Sequence, residues 1–413
     1  MKMSDDKVNA VRCEGPCGKV KLLTEYLEHR PGMRRRQCKA CFNERRMGKT
    51  HYGMGKRRDG KPQVREEQLE AIVEHRLKQE NRDLRSKNEA LVAELAGSSE
   101  YNEIIKAALA APLQRPKIQP RERKSGLREG TPLVLASDWH VEEEVKPERV
   151  AYRNRYNLEI ATRRMERFFE AVRWGVRQQR DTFKIRDLVL WLGGDFITNF
   201  LHDGDAENNQ LAPLDALLFW QANVVKGLLF LLEDTEIEQY VIPMNDGNHG
   251  RESNSRKINV TKRVQHSLEV FMYAQLKLRF ANEPRLKFVM PTSEFTFLDD
   301  VYGKTIRFLH GDAFNYNGGI GGITIPMLRS VPRWDSVKAA DLTCMGHWHQ
   351  RICLPNLLVN GSLIGYNSFA MSKGFSFESP SQSMRMLDSK RWTGADIPLY
   401  VADREDDILT RGK

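Results

Sequence analysis

Cysteine is scarce: six in 413 residues. That is too few to staple a chain of this size, so a disulfide scaffold is excluded and a reducing compartment is the simplest setting. Long uninterrupted apolar runs are missing too. The most apolar helical stretch, from Leu214 to Asp234, carries Asp215, Gln221, Asn223 and Lys226 inside it. That pattern fits a buried helix of a soluble domain better than a bilayer span, so no membrane partner is expected. No charged-then-apolar leader opens the sequence, so no secretory signal is expected and the cytoplasm is the expected location. Acidic charge is scarce in one place only. Residues 1–62 hold 17 Lys/Arg against 7 Asp/Glu, a net of +10 that equals the net charge of the whole chain. The remainder sums to neutral, and the positive field belongs to the N-terminus, where it favours a polyanionic partner.

Four of the few cysteines cluster there. Cys13 and Cys17 are separated by three residues, Cys38 and Cys41 by two, and twenty residues lie between the pairs. Two close pairs in a short reduced segment suit one tetrahedral structural zinc ion, whose binding would supply folding energy that so thin a core lacks. The text from Arg12 to Arg46 resembles the zinc ribbons of phage recombination endonuclease VII and HNH-type proteins, departing from them in the three-residue spacing of the first pair. No nuclease His/Asn core accompanies it, so a nucleic-acid-binding module over 1–62 is expected. Arg34, Arg35, Arg36, Arg45, Arg46, Lys56, Arg57 and Arg58 are its expected phosphate contacts, giving affinity with little sequence preference.

Residues 63–97 read as one helix. Leu77, Leu84 and Leu91 recur every seven residues, with Asn81, Asn88 and Leu95 at the alternate core position. Leucine at d with Asn at a favours a parallel two-stranded coiled coil, hence a homodimer. A stretch rich in Pro, Arg and Lys follows, and 98–130 is expected to be a basic linker.

From residue 131 to the end, short apolar runs alternate with long helical ones. Strands are expected near 133–137, 188–194, 240–244, 286–290, 304–309, 341–346 and 356–360, with helices over about 155–181 and 257–282. This is an α/β pattern. Ligands of such sheets collect beyond the carboxyl ends of the strands. The exits read Asp138-Trp139-His140, Gly194-Asp195, Gly247-Asn248-His249, His310 and Gly346-His347-Trp348-His349. Each alone is an ordinary turn. Together they offer imidazole, carboxylate and amide ligands, a mixture suited to Mn, Fe or Zn more than to Ca or Mg, and too numerous for one ion.

The ordered motifs D-x-H, GD, GNH, H and GH-x-H resemble those of the calcineurin-like metallophosphoesterase superfamily over about 131–370. The resemblance implies an α/β fold in which a sandwich of two β-sheets is flanked by helices, with a di-metal centre between loops. It implies that Asp138, His140, Asp195 and His349 hold one metal, and that Asp195, Asn248, His310 and His347 hold the other. Asp195 would then bridge them, and His249 would be the catalytic residue that protonates the leaving oxygen or stabilises the transition state. Two such metals, about 3.5–4 Å apart, clamp a phosphate and acidify a water. One departure stands out: many members place an acidic residue after GNH, where this chain has Gly250. The overall wording is similar to phage-encoded members grouped with DNA-repair exonucleases, which would put the protein in a bacterial host cytoplasm. The expectation is a DNA nuclease, with exonuclease action favoured, manganese as the expected metal and an ATPase as a possible partner. The alternatives are hydrolysis of small phosphoesters and a non-catalytic DNA-binding adaptor.

Overall fold

The computed structural model describes residues 10–12, 20–22, 26–30, 33–38, 107, 116–120, 126–200, 205–252, 263–313 and 324–402. The chain divides into two compact units, Met1–Leu84 and Arg85–Lys413. In the first, β1 (Ala10–Arg12) pairs antiparallel with β2 (Val20–Leu22), and β3 (Tyr26–Arg30) with β4 (Met33–Cys38). Arg34, Arg35, Arg36 and Cys38 fall on β4. Cys13, Cys17 and Cys41, the basic residues Arg45, Arg46, Lys56, Arg57 and Arg58, and the heptad helix lie outside the described residues.

The second unit is mixed α/β. Its first half runs β5 (Arg128–Ala136), α1 (Leu158–Gln179), β6 (Phe183–Lys184), β7 (Asp187–Leu192), α2 (Asp205–Asn208), α3 (Pro213–Leu232), β8 (Gln239–Pro243), α4 (Leu268–Arg279) and β9 (Leu286–Val289). The second half runs β10 (Thr296–Val301), β11 (Lys304–Phe308), α5 (Thr324–Asp335), β12 (Leu342–Met345), β13 (Ile352–Leu354), β14 (Leu357–Val359), α6 (Ser368–Lys373), β15 (Ser381–Asp388) and β16 (Trp392–Tyr400). A seven-stranded sheet has the order β16-β15-β5-β7-β8-β9, with β6 beside β5. Its strands β5, β7, β8 and β9 are parallel. A five-stranded sheet has the order β10-β11-β12-β14-β13, with β11, β12 and β14 parallel.

Period-two alternation stacks these sheets. Leu133 and Leu135 of β5, Val189 and Trp191 of β7, and Val241 of β8 share one core with Ile306 and Phe308 of β11, Leu342 and Cys344 of β12, and Leu358 of β14. That core lies between the two sheets. The alternate residues Val134, Leu188, Leu190, Tyr240 and Ile242 pack instead with α1, α3 and α4. Met345, Leu357 and Val359 pack with α5 and α6 on the far side of the smaller sheet. Each fully buried aliphatic or aromatic side chain contributes about 1.5–3 kcal/mol. The apolar α3, long enough to cross a bilayer by length and composition, gives Ala216, Trp220, Val224 and Leu228 to this core.

Four differences from the sequence reading have physical causes. Of the helix expected over 257–282, residues 257–262 lie outside the described residues; within the described part a 3-10 turn, Arg263–His266, comes first, and α4 begins at Leu268, where Ser267 caps it by accepting the Val270 amide. β5 starts at Arg128, inside the stretch read as linker, where Arg128 pairs with Asp388 at 3.0 Å. Ile118, from the same stretch, is buried between the sheets and hydrogen-bonds to Asp300 and Tyr302. Strands β10, β13, β15 and β16 were not anticipated. Buried Ser381, Gln382, Ser383 and Arg385 weaken the apolar signature of β15; Asn360 meets Gln382 and the Ser383 amide, and Asp396 and the Leu354 carbonyl meet Arg385.

Candidate metal centre

The carboxyl ends of parallel strands from both sheets converge on one place. β5 delivers Asp138 and His140, β7 delivers Asp195, and β8 delivers Asn248 and His249. From the smaller sheet, β11 delivers His310, and β12 delivers His347 and His349. The exits are laced together: the amides of Asp138 and Trp139 donate to the carbonyls of Gly194 and Asp195, and that of Gly346 to His310. The backbone there is strained. Asp138, His140, Asp195, His347 and His349 all adopt φ between 47° and 70°, a region that costs non-glycine residues of order 1–3 kcal/mol when forced. Gly194, at φ +85°, is indispensable, because a Cβ there would meet the Gly247 nitrogen at 2.1 Å.

The side chains form two adjoining groups. Asp138, His140 and His349 present ligand atoms within 4.8 Å of one another, as do Asp195, His310 and His347; Asp195 is equally close to His140 and His249. All of these donors are buried or half-buried. Asn248 joins the second group: His310 Nε2 lies 2.9 Å from Asp195 Oδ2 and 3.2 Å from Asn248 Oδ1. His310 Nδ1 is 2.8 Å from the Gly193 carbonyl, to which it donates, so Nε2 is the nitrogen turned to those two oxygens. Burial opposes a proton on His310, but the Asp195 carboxylate outweighs burial and raises its pKa to about 10. A proton on Nε2 thus stands between two acceptor oxygens, the place a cation would take.

Charges elsewhere suit a metal. Burial would raise the pKa of Asp195, yet the imidazoles of His310 and His249 hold it well below the usual carboxylate range. Burial lowers His347 to about 4 and His349 to about 3, and lowers His140 well below its ordinary value. Asp195 is therefore ionised and these three imidazoles neutral at physiological pH, the states that bind metal. Asp138 is pushed up to about 7 by burial, and a neighbouring cation would reverse that. His140 Nε2 and His349 Nδ1 are buried without a hydrogen-bond partner. Each such atom costs about 1–3 kcal/mol, which coordination would offset. The donor set fits, and these buried clusters can hold a divalent metal ion.

Several orienting residues had no sequence signal. Glu142 accepts the amides of Thr198 and Asn199, each at 2.8 Å. The loop so held gives the Thr198 hydroxyl to His140 Nδ1 at 3.1 Å and the Thr198 carbonyl to His249 Nδ1 at 2.8 Å. His249 thus has an orienting partner, a carbonyl in place of a side-chain acid. The Gly250 departure also has a cause. Buried Glu269 accepts the amides of Phe196 and Gly247, both at 2.7 Å, tying the Asp195 and Asn248 loops together. A Cβ on Gly250 would come within 2.7 Å of Glu269 Cγ. Arg263 adds a clamp between the sheets, donating to Asp246 at 2.8 Å and to Asp312 at 2.9 Å, each two residues from Asn248 or His310.

A cleft of about 460 Å³ opens over the cluster, lined by His140, Asp195, Asn248, His249, His347 and His349 on the metal side, and by Glu143, Asn208 and α6 on the other.

No protein-family model matches the chain, and no curated protein is similar to it. Among solved structures it is similar to a hypothetical protein from Pyrococcus horikoshii OT3, at 10% identity and a TM-score of 0.32, over 66% of this chain and 90% of the other. It is also similar to a single mutant of Vps29 from Entamoeba histolytica, at 9% identity and a TM-score of 0.26, over 65% of this chain and 98% of that one. A third is Vacuolar Protein Sorting 29 from Cryptosporidium parvum, at 12% identity and a TM-score of 0.25, over 63% and 86%. What the centre can do rests on its own geometry.

Proposed function

We propose that the protein is a metal-dependent phosphodiesterase acting on DNA. Asp138, His140, Asp195 and His349 would hold one divalent cation, and Asp195, Asn248, His310 and His347 the other, with manganese the preferred ion and iron or zinc alternatives. The observation that carries this reading is Asp195, an ionised carboxylate at the floor of one cleft that lies close to His140 and His249 as well as to His310 and His347. When bound, such a pair of ions supplies Lewis acidity to a phosphate and to a water.

The chain's own residues do the rest. Asp195 and Asp138 offset the cations' charge, while neutral His140, His347 and His349 keep the centre from becoming anionic. His249, its Nδ1–H held by the Thr198 carbonyl, would as the imidazolium give its Nε2 proton to the leaving oxygen. The +10 charge of residues 1–62 supports a nucleic-acid substrate. The same reading assigns the four N-terminal cysteines to zinc, the basic residues around them to DNA phosphates, the heptad helix to a homodimer, and exonuclease action to the whole, with an ATPase as a candidate partner.

The test is manganese-dependent digestion of end-labelled linear DNA and covalently closed circles, with Asp195→Ala as control. Loss of the linear form alone, abolished by the substitution, is the expected result. Turnover of a small phosphodiester with both DNA forms intact would move the assignment to small phosphoesters. No turnover of any phosphoester would leave a DNA-binding adaptor.

A further inference from the structure

The wall opposite the metal cluster is one short helix, and it differs from every other surface of the cleft. α6 contributes Ser368, Phe369, Ser372 and Lys373 to the lining. The remaining lining residues are His, Asp, Glu, Asn and Thr. Phe369 is therefore the sole carbocyclic ring, and Lys373 the sole lysine or arginine, among the described residues that face this space. The core beneath α6 is already closed by Ala370, 2% exposed, and Phe375, 9% exposed. Phe369 itself stays half-buried. Its ring centroid lies 5.7 Å from that of His349 and 6.4 Å from that of His347, and Phe375 braces it edge-on at 5.8 Å.

The helix is built to hold that ring still. Asn367 caps it, accepting the Ala370 amide at 3.1 Å, and Gly374 ends it in the left-handed conformation. The Asn367 amide also donates to Glu143 at 3.2 Å, tying the start of α6 to the loop that follows His140. Lys373 lies one turn after Phe369, its Nζ 5.7 Å from the ring centroid. A rigid aromatic surface with a cation one helical turn away, beside a cluster suited to phosphate chemistry, matches the parts of a nucleotide: planar base and anionic phosphate. The ring supplies stacking that any base can use, and the lysine supplies a point charge for a phosphate oxygen.

We propose that α6 is a nucleotide-binding wall: Phe369 stacks on the base next to the scissile phosphate, and Lys373 receives an adjoining phosphate. This rests on the phosphodiesterase reading above and specifies its substrate. A cleft of about 460 Å³ accommodates a single nucleotide, since ligand sites run roughly 300–1,000 Å³. The substrate is therefore an unpaired nucleotide, presented at a strand end or splayed from a duplex.

The experiment uses the full-length, manganese-loaded protein with Phe369→Leu, Phe369→Trp and Lys373→Met. Turnover is measured on single-stranded oligonucleotides whose terminal nucleotides carry bases, and on matched strands abasic at either end. Phe369→Leu should raise KM for the base-bearing strand about 10-fold, leave the abasic strands unchanged, and be restored by Phe369→Trp. Lys373→Met should raise KM for both and flatten the salt dependence. Equal effects of Phe369→Leu on base-bearing and abasic strands, or none on either, would overturn the proposal. Calorimetric titration with thymidine monophosphate and with inorganic phosphate separates the two readings. If no variant turns over any phosphodiester, the phosphodiesterase assignment fails. The wall then still stands if Phe369→Leu weakens nucleotide binding and spares phosphate binding, and falls if it spares both.

Discussion

The two sheets bring different chemistry to the same place. Strand ends of the seven-stranded sheet supply both carboxylates and the amide, Asp138, Asp195 and Asn248, together with His140 and His249. The five-stranded sheet supplies only imidazoles, His310, His347 and His349. Neither edge is a complete site. The first ligand group takes Asp138 and His140 from one sheet and His349 from the other; the second takes Asp195 from one and His310 and His347 from the other. Charge comes from one layer, neutral donors come mainly from the opposite one, and binding depends on how the layers are docked. The assignment of ligands thus depends on the core between the sheets as much as on the loops.

The most severe way to break this division is to remove the carboxylate the groups share. Asp195→Ala should lose both ions together and lower activity by well over about 100-fold, more than the loss of a residue that only orients a ligand. Metal content by plasma emission and turnover check it. His347→Ala and His349→Ala sharpen the point. These residues are two apart on one strand exit yet belong to different groups. Each substitution should lower the stoichiometry from two ions to about one, and the double substitution should leave none. Loss of both ions from either single variant would show one shared site instead of two.

Next in size is the docking of the layers. Trp191 of the larger sheet stacks on Phe308 of the smaller at 6.0 Å with 29° between ring planes, and both are buried. Trp191→Ala removes that contact and the indole hydrogen bond to Asn245 at 2.9 Å. It should cost about 3–5 kcal/mol of stability and weaken both ions to a similar degree. Denaturant titration and calorimetric metal binding measure the two effects. If Trp191→Ala lowered stability and left metal affinity intact, the groups would be set by their loops alone.

The same comparison explains what could be read from the sequence. The residues that cluster were legible because chemistry restricts candidate ligands: few residue types bind metal, and the strand ends order them along the chain. The strands that carry them were legible too, since Val189, Trp191 and their neighbours alternate between two apolar cores. β15 was not, because a buried strand rich in Ser, Gln and Arg looks solvated until Gln382 is seen to accept from the Ser137 amide, the Trp139 indole and Asn360. Thr198, Glu142, Glu269 and Arg263 were invisible for a similar reason. Each acts through backbone groups or distant acids, and a residue that holds an amide can have almost any sequence context. Ser267, by contrast, stands directly before the apolar run of α4, so this cap is visible in the sequence.

Glu269 affords the next test, since it acts only on the larger sheet's side. Glu269→Ala leaves the Phe196 and Gly247 amides without their acceptor, each at a cost of about 1–3 kcal/mol. Both amides belong to the loops that hold Asp195 and Asn248. Metal affinity should therefore fall by about 10–100-fold, and most at the ion bound by Asn248, while the ion bound by Asp138 and His140 is less affected. Equal weakening of both ions would show that Glu269 merely stabilises the domain.

The smallest expected effect concerns Gly250, where the resemblance that first suggested the chemistry breaks down. An added methyl would press on Glu269 Cγ at 2.7 Å, and overpacking of this kind costs about 1–3 kcal/mol. The carboxylate cannot retreat without loosening its grip on the Phe196 and Gly247 amides. Gly250→Ala should therefore reproduce, more weakly, the metal-binding defect of Glu269→Ala, and the two should not be additive because they act through one contact. A double-mutant cycle on metal affinity decides it. If Gly250→Ala lowered turnover without touching metal affinity, the glycine would serve His249, its neighbour in sequence, and not the ligand side of the site.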